Sequence, residues 1–543
     1  MKRRAMSSHR VQLEDLLLPD ECREVDGFCR DHRGMSSLGA LASFLRDTFS
    51  LTIELDGDIV SGYACDQSNI PGMASGLTRP IGERECALVL RACTGARIPV
   101  TVAAGRSSLT GSATPEGGII LSLDRMTAPL TKIDREERSV TAPVGIILED
   151  MRNAVLDQSG GRLFFPVDPT SRCDAMVGGA LSCNASGFVP GEAGAMRPWV
   201  TGVRIVTTTG HLIRAQRNQY VSRDGAFVLV QGDHETSVPV PRYPRPSVKN
   251  ASGPFSSPDG AVDLVDLMVG SEGIFALITA CTLRLSERPD AYLDLFISLP
   301  DERHMLSLLA YLRDEQPDLF AGLSSCEYFG PNCRKYMDHE NRIFRTDHTV
   351  GIYLQAALTG QTLDAAAERW VEAIGGAPCT IDEDAVMVLL TDKDRNLFFQ
   401  ARHSMPANSL EEVKRRGTYT LMTDTVVPAG KFEVFLTYAH DLIGKEGLDY
   451  LVFGHLGDCH LHFMIMPRSD QLDSALAVYD LIVEKSAALG GVYSGEHGTG
   501  KRKRGDFLKC YGEDAAIQVL STKRAMDPGL ILNRGNVIAL PPL

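Results

Sequence analysis

Ala103-Ala104-Gly105-Arg106-Ser107-Ser108-Leu109-Thr110-Gly111-Ser112-Ala113 is a loop of small residues between two short apolar runs, at 98–102 and 118–123. Both apolar runs are typical of β-strands. Small residues let a backbone approach a ligand, so the N–H groups and hydroxyls of this loop could hold a pyrophosphate. Such loops are common, and an ordinary turn is the alternative for this stretch taken alone.

Two further loops of small residues follow in the same half of the chain. One occupies 165–187 and contains Val177-Gly178-Gly179-Ala180, and the other is Gly270-Ser271-Glu272-Gly273-Ile274 with its continuation to Thr279. Helices are predicted at 83–94 and 146–159, between the predicted strands. Three loops in this order are far more specific than one. No Gly-x-Gly-x-x-Gly stands between a strand and a helix, so we do not predict NAD.

The composition is that of a large globular protein. The chain has 543 residues, 44% hydrophobic and 23% charged, with a net charge of −14. This length predicts about two to four domains. Phosphate neutralisation needs clustered Lys and Arg, so we exclude nucleic acid as a partner. The basic run Lys501-Arg502-Lys503-Arg504 is either a solvated surface or a local site for an anion or an interface.

The sequence also bears on location. No stretch of about 20 apolar residues occurs, so we predict no transmembrane segment, and peripheral membrane association stays open. The basic start, Met1 to Arg4, is not followed by an apolar run of signal-peptide length. The 13 cysteines include no Cys-x-x-Cys pair. Reduced thiols and a cytoplasmic location are therefore expected.

We predict an α+β chain with four regions. Residues 1–50 form a helical lead-in with helices at 11–18 and 38–49, and residues 51–290 form an α/β domain. A Pro- and Ser-rich stretch at 238–258 is predicted to run over the surface. Residues 291–440 alternate helices (301–312, 362–374) with strands (292–299, 350–358), which indicates an antiparallel sheet with helices on one face. Residues 441–543 are predicted to be mainly helical.

Histidines cluster near the C-terminus. The stretch Gly454-His455-Leu456-Gly457-Asp458-Cys459-His460-Leu461-His462 holds three of the 13 histidines, and Ser494-Gly495-Glu496-His497-Gly498 follows. If the first motif is extended, His460 and His462 share one face. Imidazoles close to a carboxylate favour a divalent metal. Structural histidines that bind no metal are the alternative.

These motifs together resemble the vanillyl-alcohol oxidase and p-cresol methylhydroxylase (PCMH) superfamily, in its D-lactate dehydrogenase and glycolate oxidase branch, from about residue 52 to the C-terminus. The resemblance implies a two-subdomain PCMH-type FAD-binding domain (51–290), a substrate or cap domain (291–440) and a C-terminal segment (441–543) that completes the flavin site. FAD is expected to be non-covalent, because no His lies in the 105–112 loop. The implied FAD contacts are Gly105, Arg106, Ser107, Ser108, Leu109, Thr110, Gly111, Ser112, Asp168, Ser171, Gly178, Gly179, Asn184, Ser186, Gly187, Lys249, Asn250, Glu272, Gly273, Ile278 and Asn533.

The same resemblance assigns the chemistry. His455, His462 and Glu496 are implied as ligands of a divalent metal, with zinc expected, and His497 as the general base. Arg402, in the segment 398–406, is implied to grip the substrate carboxylate, and bidentate guanidinium geometry suits that role. The chain departs from the family where Cys459 and His460 replace Gly and Asn and where Arg534 replaces Pro. It also lacks the Lys that relatives often carry before Asp424.

The implied reaction is oxidation of a D-2-hydroxy acid, such as lactate, glycolate or 2-hydroxyglutarate, to the 2-oxo acid. Hydride would pass from C2 to flavin N5, with metal assistance and His497 as base. Without a Lys before Asp424, a monocarboxylate or an acid with an uncharged tail is favoured. The electron acceptor stays open among a quinone, a cytochrome and an electron-transfer protein. Two alternatives are an alkyl-dihydroxyacetone-phosphate synthase-like flavin transferase and a non-catalytic flavin-binding subunit of an electron-transfer complex.

Overall fold

The computed structural model describes residues 7–345 and 347–541. Its helices of the α type, in chain order, are α1 (Pro19–Asp31), α2 (Leu38–Phe49), α3 (Gly57–Ser61), α4 (Glu83–Ala96), α5 (Leu148–Ser159), α6 (Val177–Ser182), α7 (Leu264–Met268), α8 (Glu302–Asp314), α9 (Pro317–Ala321), α10 (Glu340–Ile343), α11 (Leu363–Gly375), α12 (Asp392–Arg415), α13 (Phe432–Lys445), α14 (Leu472–Ala488) and α15 (Arg504–Met526).

The strands divide between the two halves of the chain. Those of the first half are β1 (Arg10–Gln12), β2 (Glu14–Asp15), β3 (Gly76–Thr78), β4 (Val100–Ala103), β5 (Ile119–Ser122), β6 (Lys132–Asp134), β7 (Ser139–Pro143), β8 (Leu163–Phe164), β9 (Val200–Val206), β10 (His211–Gln216), β11 (Ala226–Gln231), β12 (His234–Pro239), β13 (Leu277–Arg284) and β14 (Ser286–Glu287). Those of the second half are β15 (Ala291–Leu299), β16 (Leu323–Phe329), β17 (Val350–Leu358), β18 (Val386–Val388), β19 (Leu421–Met422), β20 (Thr425–Val426), β21 (Tyr450–His455) and β22 (His460–Ile465).

The first half is built around two main sheets. A parallel sheet has the order β3-β5-β4, and a six-stranded sheet has the order β2-β10-β9-β13-β7-β6. The loop of small residues at 104–113 leaves the carboxyl end of β4 and leads back toward β5. Its two flanking strands are almost entirely buried, because Val100, Ile119 and Leu121 pack into the main core of this half and Ile120 packs into a smaller cluster. The α+β class and the predicted strands at 98–102 and 118–123 are confirmed.

The second half is one antiparallel sheet in the order β18-β15-β17-β16-β21-β22-β19, with β20 also paired to β22. The apolar faces of α8, α11, α13 and α14 pack on one side of it. On the other side lie α12 and the polar side chains of the site described below. The predicted boundary at residue 440 falls inside this sheet, because β21 and β22 complete it.

Two local predictions are wrong, and one of the two alternatives for the basic run is excluded. Residues 11–18 are not helical: β1 pairs in parallel with β11, and the helix begins only at Pro19, a residue well suited to a first helical turn. Residues 238–258 do not simply run over the surface, since ten of these 21 residues are buried and only four are exposed. In the basic run, Lys501 and Lys503 are buried, so it is not a solvated face.

Candidate active site

A cavity of about 580 Å³ lies between the loops of the first half, and His455, Glu496 and His497 of the second half also line it. The loops that form it are packed tightly against one another. A Cβ added at Gly105 would lie 2.1 Å from the carbonyl oxygen of Asp174, so only glycine fits there. The lining is dominated by small side chains and backbone, which suits a long, flat and partly anionic ligand.

Fifteen of the 21 residues implied to contact FAD line this cavity, namely Gly105, Arg106, Ser107, Ser108, Leu109, Ser112, Ser171, Gly178, Gly179, Ser186, Gly187, Glu272, Gly273, Ile278 and Asn533. Six do not line it, namely Thr110, Gly111, Asp168, Asn184, Lys249 and Asn250. Thr110, Asp168 and Lys249 are hydrogen-bonded to residues that line it. Asp168, for example, accepts a hydrogen bond from the backbone N–H of Phe188 at 3.2 Å.

Glu272 and Asn533 tie the lining loops together. The buried Glu272 carboxylate accepts hydrogen bonds from Ser112 Oγ at 2.9 Å and from the backbone N–H groups of Thr499 and Gly500 at 2.6 and 2.7 Å. The Asn533 side chain accepts from the Val102 N–H at 2.7 Å and donates to the Glu272 carbonyl at 2.8 Å. The first loop is therefore fixed to the segment that carries Glu496 and His497.

His455, in the wall of the cavity, lies between two carboxylates. Its Nδ1 is 2.8 Å from Glu327 Oε1, and its Nε2 is 3.0 Å from Glu496 Oε2. Burial alone would lower the pKa of His455, but the two carboxylates outweigh it and raise the pKa to about 10. A divalent ion bound by Nε2 and Glu496 would displace the proton that they share.

His462 presents its other face to the same carboxylate. Its Nδ1 lies 3.1 Å from the Thr423 carbonyl and its Nε2 lies 3.3 Å from Glu496 Oε1. A carbonyl only accepts, so Nδ1 carries the proton and Nε2 is left as a donor to a metal. In both histidines one nitrogen is held by an oxygen acceptor while the other faces Glu496, which is the usual arrangement around a metal. The three residues fit a divalent ion.

Lys249 belongs to this cluster rather than to the cavity wall. Its buried ammonium lies 3.3 Å from Glu496 Oε2 and 3.6 Å from Asp458 Oδ2. Burial lowers the pKa of Lys249, but the two carboxylates raise it above its ordinary value. The segment 238–258 brings this cation to Glu496.

His497 is held by Asp424. The Asp424 Oδ2 atom accepts the backbone N–H of His497 at 3.0 Å and lies 3.5 Å from its Nδ1. The same carboxylate contacts Lys503 Nζ at 2.9 Å and accepts from Ser494 Oγ at 2.5 Å. Burial lowers the pKa of His497 to about 4, so the ring is neutral at neutral pH. A neutral imidazole whose Nδ1 faces a carboxylate can accept a proton at Nε2.

Two family descriptions match the chain in succession. Residues 74–216 match the family "FAD binding domain", and residues 334–537 match "FAD linked oxidases, C-terminal domain". The first range contains the 105–112 loop, and the second contains both histidine motifs.

The chain carries both domains of the FAD-linked oxidases. These two matches confirm the predicted superfamily and the expected FAD cofactor. Three relatives align over most of their length: D-lactate dehydrogenase of Anaerostipes hadrus (25% identical, 88% of this chain and 93% of the relative), glycolate oxidase subunit GlcD of Bacillus subtilis (25%, 86% and 89%) and D-2-hydroxyglutarate dehydrogenase of Xanthomonas citri pv. viticola (25%, 84% and 88%).

Solved structures show the same fold. p-Cresol methylhydroxylase aligns with a TM-score of 0.65 over 97% of this chain and 99% of that chain, at 15% identity. Alkyldihydroxyacetonephosphate synthase aligns with a TM-score of 0.62 over 93% and 85%, at 14% identity. At such identities the likeness concerns the fold alone.

Within the described residues of this FAD-linked oxidase, no helix is both long and apolar enough to cross a membrane.

Arg402 of this FAD-linked oxidase projects from α12 toward the cluster. Its guanidinium lies 3.5 Å from Glu327 Oε2 and 4.9 Å from the centre of the Phe188 ring. The side chain is 17% exposed, so a ligand can reach it. The predicted carboxylate-binding residue therefore stands beside the predicted metal ligands.

Sequence reasoning missed Glu327, Lys503 and Phe188. A signal existed for Glu327, because it is the only charged residue of strand β16, Leu323–Phe329, whose side chains are mostly buried. Lys503 lies in the basic run 501–504. Its burial beside the exposed Arg502 depends on how this stretch folds, which the run of basic residues does not indicate. No sequence pattern indicated that Phe188 would contact Arg402.

Proposed function

We propose that this FAD-linked oxidase converts a D-2-hydroxy acid to the 2-oxo acid. The observation that carries the proposal is the meeting of His455, His462, Glu496 and His497, three of which line the cavity, with Arg402 beside them. Support also comes from the three relatives, whose names are those of enzymes acting on lactate, glycolate and 2-hydroxyglutarate.

Each residue of the site has a task in this reaction. His455, His462 and Glu496 would hold the divalent ion, and the cavity lining would hold FAD. When bound, FAD would supply the hydride acceptor and the ion would supply a Lewis acid for the 2-hydroxyl. Arg402 pairs with the substrate carboxylate. His497 takes the hydroxyl proton at Nε2, because its Nδ1 faces Asp424.

The charges around the site favour a substrate with one carboxylate. Among the described residues of the cluster, Lys249 already faces Glu496 and Lys503 already faces Asp424. The ring of Phe188 lies 5.8 Å from that of His455, and the ring of Phe453 lies 5.5 Å from that of His462. A second carboxylate would meet aromatic rings and paired cations, so we propose an uncharged tail.

An anaerobic titration of flavin absorbance with 2-hydroxy acids tests the proposal. We expect bleaching by D-enantiomers of monocarboxylates, weaker bleaching by 2-hydroxyglutarate, and slower bleaching after a chelator has removed the metal. Stable FAD and metal binding without bleaching by any 2-hydroxy acid would favour the transferase or the non-catalytic subunit. The metal identity, the electron acceptor and the cytoplasmic location stay predictions.

A further inference from the structure

His460 stands at the centre of the histidine cluster, at the first position of β22. It is completely buried, and its ring lies 5.2 Å from that of His455 and 4.7 Å from that of His462, between ring centres. In register, His460 faces His455 across the β21–β22 pair. The strand alternation puts His460 and His462 on the same face of the sheet.

One nitrogen of His460 is held and the other is free. Nε2 lies 2.7 Å from Asp424 Oδ1, while Nδ1 has no hydrogen-bond partner among the described residues. The Asp424 carboxylate also accepts hydrogen bonds from Ser494 Oγ, Lys503 Nζ and the backbone N–H of His497, so it is the acceptor in its contact with Nε2 as well. The proton of His460 therefore lies on Nε2, and Nδ1 keeps an unshared electron pair in the protein interior.

A buried nitrogen with an unshared pair needs a partner. His460 offers a ligand atom that lies, together with those of His455, His462 and Glu496, in a group whose members are all within 4.8 Å of one another. A carboxylate on the far nitrogen is the usual means of orienting a metal-binding imidazole. Asp424, His462, Glu496 and His497 form a second group of this kind, but the Asp424 oxygens already accept from His460, Ser494 and Lys503.

We propose that His460 is a fourth protein ligand of the divalent ion, bound through Nδ1 and oriented by Asp424. This inference rests on the proposed function, because it adds one donor to the site made by His455, His462 and Glu496. The donor set becomes three imidazoles and one carboxylate.

A fourth donor changes which ion fits. Catalytic zinc sites keep three protein ligands and one open position, whereas four protein ligands close a tetrahedral site. An ion that accepts six ligands would keep two positions free. Those positions match the hydroxyl and one carboxylate oxygen of a 2-hydroxy acid. The site therefore favours Mn²⁺, Fe²⁺ or Co²⁺ over tetrahedral zinc as the ion that supports activity.

The experiment measures metal binding directly, on the FAD-loaded full chain stripped of metal. Mn²⁺ and Co²⁺ affinities are compared between the wild type, His460→Asn and the control His348→Asn, which removes another buried imidazole from the same half. We expect His460→Asn to weaken binding by about 100-fold or more, above the range for an outer-shell residue, and His348→Asn to leave it unchanged. The Co²⁺ absorption spectrum should change in His460→Asn alone.

A second measurement uses the wild type only, so it tests the inference even if His460→Asn fails to fold. Pulsed EPR of the wild type loaded with Mn²⁺ counts the coordinated imidazoles, and three support the inference. Two imidazoles, or a His460→Asn variant with wild-type affinity and spectrum, overturn it while leaving the proposed function intact. A wild type that binds no ion overturns the metal site itself, and a metal-bound enzyme that oxidises no hydroxy acid contradicts the proposed function alone.

Discussion

The loop at 105–112 and the segment at 493–500 meet at one end of the cavity, yet they are built on different principles. The first presents backbone and small side chains, and its conformation is fixed by contacts such as that of Ser112 with Glu272. The second presents charged side chains, and each of them is held by another charged or polar group. Glu496 alone lies within 3.5 Å of His455, His462, Lys249 and His497.

This contrast predicts where substitutions matter. A site made by backbone N–H groups survives many side-chain changes, because the peptide atoms stay. A site made by side chains loses a donor, a base or a counter-charge with every change, and the partner is left buried and unpaired. We therefore expect large effects on turnover in the 493–500 region and small effects, confined to FAD affinity, in the 105–112 loop.

The largest effect is expected for His497→Ala. Loss of the base should slow flavin reduction by about 10³-fold while FAD stays bound, since a general base contributes about 10²- to 10⁴-fold. Stopped-flow absorbance under anaerobic conditions measures the rate, and the flavin spectrum measures cofactor content. Partial rescue by added imidazole would support a proton-transfer role. Reduction at the wild-type rate would remove His497 from the mechanism.

A smaller effect is expected for Arg402. Because one charge-assisted pair with the substrate carboxylate is lost, Arg402→Ala should raise KM by about 100-fold with a lesser change in kcat. Arg402→Lys should recover only part of this loss, since an ammonium cannot bind a carboxylate in the bidentate manner. Arg395→Ala, on the same helix but paired with Asp392, is the control and should bind substrate normally. Equal KM values for the Ala variants of both residues would refute the assignment.

Asp424→Asn should lower the plateau of kcat/KM by about 10- to 100-fold, because Asp424 orients His497 from behind. The pH profile sharpens this prediction. His497 is active as the free base, so kcat/KM falls as the pH drops through its pKa, about 4 in the wild type. The Asp424 charge raises that pKa, so its removal should move the acid limb to lower pH. An acid limb that stays in place or moves to higher pH would contradict the role.

Much of this contrast could be predicted from the sequence, and the limits have physical causes. The loop 105–112, strand β22 and the histidine motifs are local patterns, so their structure follows from nearby residues. Lys249 was predicted beside the flavin, whereas its ammonium contacts Glu496, because the path of an irregular segment depends on distant packing. Glu327 reaches His455 only through the pairing of β16 with β21, a long-range register that periodicity does not specify.

The smallest effect is expected in the glycine-poor loop itself. Arg106 has a φ of +56°, a conformation that favours glycine, and its guanidinium lies 4.8 Å from the centre of the Tyr63 ring. In Arg106→Gly, relief of about 1 kcal/mol of backbone strain is offset by loss of a cation–π contact of about 0.5–1 kcal/mol and by the backbone entropy of glycine. The free energy of unfolding should therefore change little.

Arg106→Gly should instead raise the Kd for FAD by roughly tenfold, because a charged hydrogen-bond donor leaves the cavity lining. Arg138→Gly is a matched control: Arg138 also has a positive φ, of +47°, but lies outside the lining. We expect unchanged FAD affinity in Arg138→Gly, and wild-type turnover in both variants at saturating FAD. A loss of turnover in Arg106→Gly comparable to that of Asp424→Asn would erase the contrast, because the loop would then act through its side chain as the histidine region does.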